Sequence, residues 1–217
     1  MSMSFASVWR TIAPYKGVIY FLGLLFFFHV SWKLTIEGDR DSEYMYFLGK
    51  NVTPAWFHTA CFYLTQATAW FILLLPKTQS LIVDDTTLFF PNGGIHIFII
   101  WGCIGIKQLF IFCGIMTFYR LTLKGKFQWN KLWYIPLGCI VLTIYNIIRI
   151  GLIVVLTNGH SERFDSLHDG IFRYIYYLII FIFWVVWEEV YVKRAEEEKQ
   201  LLEEKQAEEK QIATQSE

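Results

Sequence analysis

The sequence predicts an all-α polytopic membrane protein with about five or six transmembrane helices and a polar helical tail in the cytoplasm. Three observations carry this reading. Hydrophobic residues make up 55% of the 217-residue chain and aromatic residues 19%, a composition of lipid-facing helices rather than of a soluble core. Five apolar stretches of roughly membrane length lie near 17–32, 55–76, 97–118, 132–157 and 171–192. Formal charge sums to zero, yet it collects in the loops between these stretches and in the tail. The basic residues therefore flank membrane segments instead of forming a patch, so no nucleic-acid partner is expected and the lipid bilayer is.

The first stretch, GVIYFLGLLFFFHVSW, is followed by Lys33 to Glu37 and not by a small-residue cleavage site. It is expected to be a retained span. Lys and Arg in short loops set the orientation. Arg120, Lys124, Lys126 and Lys131 make the loop 119–131 cytoplasmic, and Lys193 and Arg194 do the same for the tail. The loop 158–170 and the segment 77–95 then lie outside. Counting back through two more crossings places the N-terminus outside and the loop 33–53 inside. Lys33, Arg40 and Lys50 favour that narrowly over Arg10 and Lys16.

Ahead of the third stretch, β-rich runs flank Pro91-Asn92-Gly93-Gly94. This turn signal predicts either a short outside hairpin leading into the helix or an irregular loop. The tail from Lys193 to Glu217 is rich in Glu, Lys, Gln and Ala, with Glu and Lys at helical spacing. It reads as the fifth helix continued into the cytosol, without the sustained heptads of a coiled coil.

Four cysteines stand at 61, 103, 113 and 139, all in apolar stretches and with no CxxC pair. That pattern excludes a disulfide framework. Nor do His29, His58, His96, His160 and His168 show paired ligand spacing, so no metal and no cofactor is expected.

Depth in the membrane singles out three groups. Cys103 lies six residues into a helix that starts outside, about 9 Å deep at 1.5 Å per residue. Arg149 lies eight residues short of the outside end of the fourth stretch, about 12 Å deep. His168, beside Asp169, opens the fifth helix at the same face. Taken singly, the cysteine reads as packing, the arginine as a snorkelling or paired charge, and the histidine as a solvated loop residue.

Together a thiol, a guanidinium and an imidazole suit nucleophilic acyl transfer. Thiolate is the reactive form of cysteine, and neighbouring cations stabilise it. His168 can carry the proton and return it to a leaving amine. Arg149, always charged, can stabilise the thiolate or an oxyanion but cannot act as a base. Lys107, at i+4 from Cys103, would add positive potential from the same helical face. Gly105 would admit a substrate backbone or a neighbouring helix.

Cys103-Ile104-Gly105-Ile106-Lys107, then Asn146-Ile147-Ile148-Arg149, then His168 resemble, in order and spacing, the exosortase/archaeosortase group of multi-spanning cysteine transpeptidases. That group's pattern is a C-S-G-I-[RK] turn, an N-x-x-R helical turn and a histidine at the following loop. The resemblance covers about residues 80–190, and Ile104 stands where the group has serine.

It implies that Cys103 is the nucleophile, Arg149 the electrostatic stabiliser and His168 the acid/base. Asn146, Gly105, Lys107 and Asp169 support them. Residues 1–192 then form a transmembrane catalytic domain, and 193–217 a charged cytoplasmic tail. The implied substrates are exported proteins bearing a C-terminal sorting signal of a short motif, one transmembrane helix and a basic cluster. They would be cleaved at the outer face of the cell membrane and passed to an acceptor. The acidic tail would stand on the same side as that basic cluster. Two alternatives stay open on the sequence. One is a hydrolytic intramembrane cysteine protease using the same residues, and the other a non-catalytic scaffold whose tail recruits a partner.

Overall fold

In the computed structural model, residues 15–38, 44–76, 78, 80–91, 96–119, 126–158 and 160–215 are described. Helix α1 (Lys16–Thr35) leads into a three-stranded antiparallel sheet of β1 (Ile36–Glu37), β2 (Tyr46–Phe47) and β3 (Lys50–Asn51). Helix α2 (Trp56–Leu73) follows. A second antiparallel sheet then comprises β4 (Ile82–Asp84), β5 (Thr87–Phe89) and β6 (Ile97–Phe98). A 3₁₀ turn (Trp101–Ile104) precedes α3 (Ile106–Phe118), and the long α4 (Lys126–Leu156) comes next. A π-helical turn (Ser166–Ile171) opens α5 (Phe172–Trp187). That helix runs through a second π turn (Glu188–Val192) into α6 (Lys193–Gln215).

Four of these helices alternate in direction to form the bundle. At one end Tyr20 Oη donates to Phe118 O (3.2 Å). Lys131 Nζ there caps the carbonyls of Thr117 and Tyr119 (3.1 and 2.9 Å), and Tyr119 Oη donates to Glu188 (2.6 Å). This end thus gathers the start of α1, the end of α3, the start of α4 and the end of α5. The opposite end holds Trp32 of α1 packed with Phe57 and Trp101. Beside it Tyr145 Oη donates to Phe172 O (2.9 Å).

The helices at Lys16–Thr35, Trp129–Leu156 and from Ser166 onward are long and apolar enough to cross a membrane. Lipid offers no hydrophobic drive between helices, so close packing must supply the attraction. Phenylalanine rings seated in glycine notches supply it here. A Cβ on Gly114 would meet the Phe28 ring at 2.7 Å, and one on Gly138 would overlap the Phe112 ring. Phe26, Trp70, Trp129 and Tyr174 are 71–74% exposed, which suits a hydrocarbon surround and not water.

Two expectations change. The stretch 55–76 is helical but does not run the length of the bundle. Phe57 near its start stacks on Trp101 (6.1 Å, 6°), and Phe71 and Ile72 near its end pack on Gly151, close to the site end of α4. The chain then returns through β4–β6, and Asp85 reaches His58 (3.1 Å). Residues 57 and 101 therefore lie side by side, and the segment between them starts and finishes at one end of the bundle.

Removing that crossing reverses the count toward the N-terminus. The described residues at the two ends of the 33–53 loop share an end with Cys103, and the start of α1 lies at the other end, on the side of the tail and not opposite it. Three against two basic residues was too small a bias to reveal this, and Arg10, Arg40, Arg120 and Lys124 lie outside the described residues.

The hairpin expectation is met with an extra strand. The runs flanking residues 91–94 pair as β5 and β6, while Asp85 at φ 46° turns β4 into β5. Asn92 to Gly94 lie outside the described residues. The tail continues α5 as expected, and its residues 197–208 are exposed.

Gly138→Leu would drive a side chain into the Phe112 ring. The expected cost is about 1–3 kcal/mol, as for overpacking of a tight core. It should appear as a lowered unfolding temperature in detergent, partly restored by Phe112→Ala in the same chain.

Candidate active site

Asn146 and Arg149 stand at i and i+3 on α4, one above the other on the same face. Neither is where an unassisted apolar helix would put it. Asn146 is fully buried and Arg149 is 7% exposed. Each holds a different piece of chain. Asn146 Nδ2 donates to Cys103 O (2.6 Å), and Arg149 Nη2 donates to His168 O (3.3 Å). One helical face thereby fixes both the thiol-bearing turn and the imidazole-bearing turn through their backbones.

The Cys103 turn is short and sharp. Cys103 N bonds Ile100 O (2.8 Å) in a 3₁₀ turn, and Gly105 at φ 79° then reorients the chain before α3 begins at Ile106. Cys103 accordingly precedes the helix instead of lying six residues inside it. The i+4 argument for Lys107 also fails, because the turn and the helix have different axes. Lys107 nonetheless lines the same cavity as Cys103.

Of the two uses expected of Gly105, the structure shows the approach of neighbouring helices. A Cβ there would sit 2.8 Å from Tyr176 Oη and 3.5 Å from the Asn146 amide. The close approach is made by the protein's own residues, and only glycine adopts that backbone cheaply. Tyr176 in turn donates to Leu142 O (2.9 Å), which ties α5 to α4 behind the turn.

Cys103, Arg149 and His168 line one cavity of about 400 Å³. Cys103 Sγ lies 4.0 Å from Phe98 O, so the thiol also meets the end of β6. The His168 ring stacks on Phe164 (5.3 Å, 12°) within the π turn, where Gly170 departs from helical backbone. The side chain of Asp169 lies outside the described residues. Arg149 Nε and Asn146 Oδ1 are buried with no hydrogen-bond partner among the described residues. A guanidinium N–H so placed retains capacity for a guest oxygen.

Sequence reasoning missed part of this cavity. His29 and Lys33 of α1, and Arg173 and Tyr177 of α5, also line it. Their signal was present as polar pairs at i, i+4 in apolar helices, one face each. No depth argument could join α1 to α5 before the bundle was known. A second cavity of about 590 Å³ adjoins the first across Ile100 and Trp101, which line both. It is edged by Asn51, His58, Cys61 and Asp85. Among the described residues, no group of three or more His, Cys, Asp or Glu side chains is placed to hold a metal ion.

Fold and site define a helical membrane protein with a thiol, a guanidinium and an imidazole around one cavity near an end of its bundle. The family model for transmembrane exosortase (EpsH type) matches residues 44–187, well over half of the chain, and the chain belongs to that family. Comparison with curated proteins and with solved structures gave no match.

Asn146→Ala would leave the Cys103 carbonyl without its donor. Loss of a buried hydrogen bond is expected to cost about 1–3 kcal/mol. The measurement is hydrogen exchange across residues 101–106, which should quicken more than exchange in α1 or α5.

Proposed function

We propose that this exosortase-family protein is a cysteine transpeptidase of the cell membrane. It cleaves exported proteins at a C-terminal sorting signal and passes the acyl group to an acceptor. The observation that supports this most is the shared cavity. Three separate elements bring Cys103, Arg149 and His168 to it, and the backbone bonds of Asn146 and Arg149 hold two of those elements in register.

Each of the three groups has its own step. His168 takes the proton of the Cys103 thiol, and the thiolate attacks the scissile carbonyl. The carbonyl oxygen becomes an oxyanion beside Arg149, in a site where a desolvated charge is worth more than in water. The C–N bond breaks, His168 returns its proton to the departing amine, and a thioester remains on Cys103. The substrate's acyl chain then leaves with the acceptor. Lys107 adds positive potential along the cavity wall. Ile104, in place of the serine usual in the family's motif, lies in the 3₁₀ turn itself and packs with Trp32, Phe57 and Trp101. That packing supports the turn with apolar contacts.

Orientation follows from the fold together with charge. Lys131, Lys193 and Arg194 mark one end of the bundle, which the positive-inside bias assigns to the cytoplasm. The cavity then faces outside, where the motif of an exported substrate would arrive, and the start of α1 faces in.

Two measurements check this. A co-expressed membrane-anchored substrate should be cleaved by the wild type and not by Cys103→Ala, Arg149→Ala or His168→Ala at matched protein levels. Cleavage by Cys103→Ala would remove the nucleophile from the scheme. In intact cells, a membrane-impermeant maleimide should label Asn51→Cys but not Lys205→Cys, both in a background lacking the native cysteines. The reverse pattern would place the cavity on the cytoplasmic side.

A further inference from the structure

The cavity that holds Cys103 carries a second imidazole that the cleavage scheme does not use. His29 Nδ1 lies 3.1 Å from Tyr177 Oη, with the rings 6.1 Å apart at 60°. Both side chains line the cavity that also holds Cys103, Arg149 and His168. They come from α1 and α5, whereas the thiol comes from the turn before α3 and the guanidinium from α4. His29 lies outside the matched family region and Tyr177 inside it. The site thus has two proton-transfer groups from separate elements, and acylation of a thiol needs only one.

A transpeptidase has two half-reactions with opposite proton demands. In the first, a thiol loses a proton and an amine gains one, and His168 serves both. In the second, an incoming nucleophile must lose its proton while the Cys103 sulfur departs. His29 comes from α1 and lines the same cavity, so it can meet a nucleophile that enters once the amine has departed.

We infer that the His29–Tyr177 pair is the base for that second step, activating an amine or hydroxyl acceptor against the Cys103 thioester. This rests on the transpeptidase reading. The step uses the tautomer with the proton on Nδ1, which donates to Tyr177 Oη at 3.1 Å and leaves the Nε2 lone pair for the acceptor's proton. The acceptor N or O forms its bond to the thioester carbonyl carbon while Nε2 takes the proton. The oxyanion collapses, the C–S bond breaks, and the Cys103 thiolate leaves and recovers the proton from His29. No oxidant or further reactant is required. Tyr177 is a positioning residue, since its hydroxyl holds the His29 ring through the 3.1 Å contact.

The test is a single-turnover experiment on the full-length protein with a thioester-forming substrate. It follows acylated Cys103 by mass spectrometry with water alone, with an added primary amine, and with hydroxylamine. Hydroxylamine is nucleophilic enough to need no base. His29→Gln keeps a hydrogen-bonding group beside Tyr177 but cannot take the proton. It is expected to acylate and then accumulate the thioester, with transfer to the amine slowed about 100-fold or more, the usual scale of general-base assistance. Hydroxylamine should discharge that thioester as fast as in the wild type. Tyr177→Phe should show a smaller loss of the same kind.

His29→Gln that transfers to the amine at the wild-type rate would overturn the inference. So would His29→Gln that no longer acylates, or that hydroxylamine cannot rescue, because each would mark the pair as packing between α1 and α5. A wild-type protein that never acylates Cys103 would instead refute the transpeptidase reading, and this inference would fall with it.

Discussion

Two hydrogen bonds from one face of α4 hold the site together. Asn146 to the Cys103 carbonyl and Arg149 to the His168 carbonyl tie a 3₁₀ turn and a π turn to one 31-residue helix. Irregular backbone at membrane depth survives only where its polar groups are satisfied or line a cavity. The 3₁₀ turn at Cys103 and the π turn at His168 both meet that condition through α4. Both bonds end on backbone carbonyls, so they position the Cys103 thiol and the His168 imidazole without engaging either side chain.

The rest of the bundle positions α4. Phe112 of α3 enters the notch at Gly138, and Phe71 of α2 enters the one at Gly151, so the helix is gripped on either side of its middle. Tyr176 bonds Leu142, and the absence of a side chain at Gly105 lets the thiol-bearing turn sit against its hydroxyl. At the far end Lys131 closes the last turn of α3 by capping its carbonyls, which replaces the bonds a helix end lacks. These contacts make the cavity a property of the whole four-helix assembly and not of any motif.

The α2 helix with its β4–β6 sheet is the element that gives the cavity a neighbour. It starts and ends beside Trp101, and its second cavity shares the Ile100–Trp101 wall with the first. An apolar helix can read as a span while serving as a cover for a site, because burial against protein and burial in lipid select the same residues.

Hydropathy and charge along the chain were enough for the membrane class, a helix in each of the five apolar stretches, the helical tail and the choice of three candidate reactive groups. An apolar run of membrane length is costly to leave in water, and a charge inside it is costly to leave in lipid. Cys103, Arg149 and His168 were singled out on that ground, and they do line one cavity, although Cys103 precedes α3 instead of lying within it. Asn146 came from the resemblance, and the structure shows which carbonyl it holds. The path of α2, the side on which α1 begins, and the wall formed by His29, Lys33, Arg173 and Tyr177 emerged only from the assembled bundle. The physical reason is the same for each. Hydropathy records that a segment avoids water, but it is blind to which neighbour covers it. Pairing α1 with α5, and Phe57 with Trp101, depends on packing between residues far apart in the chain.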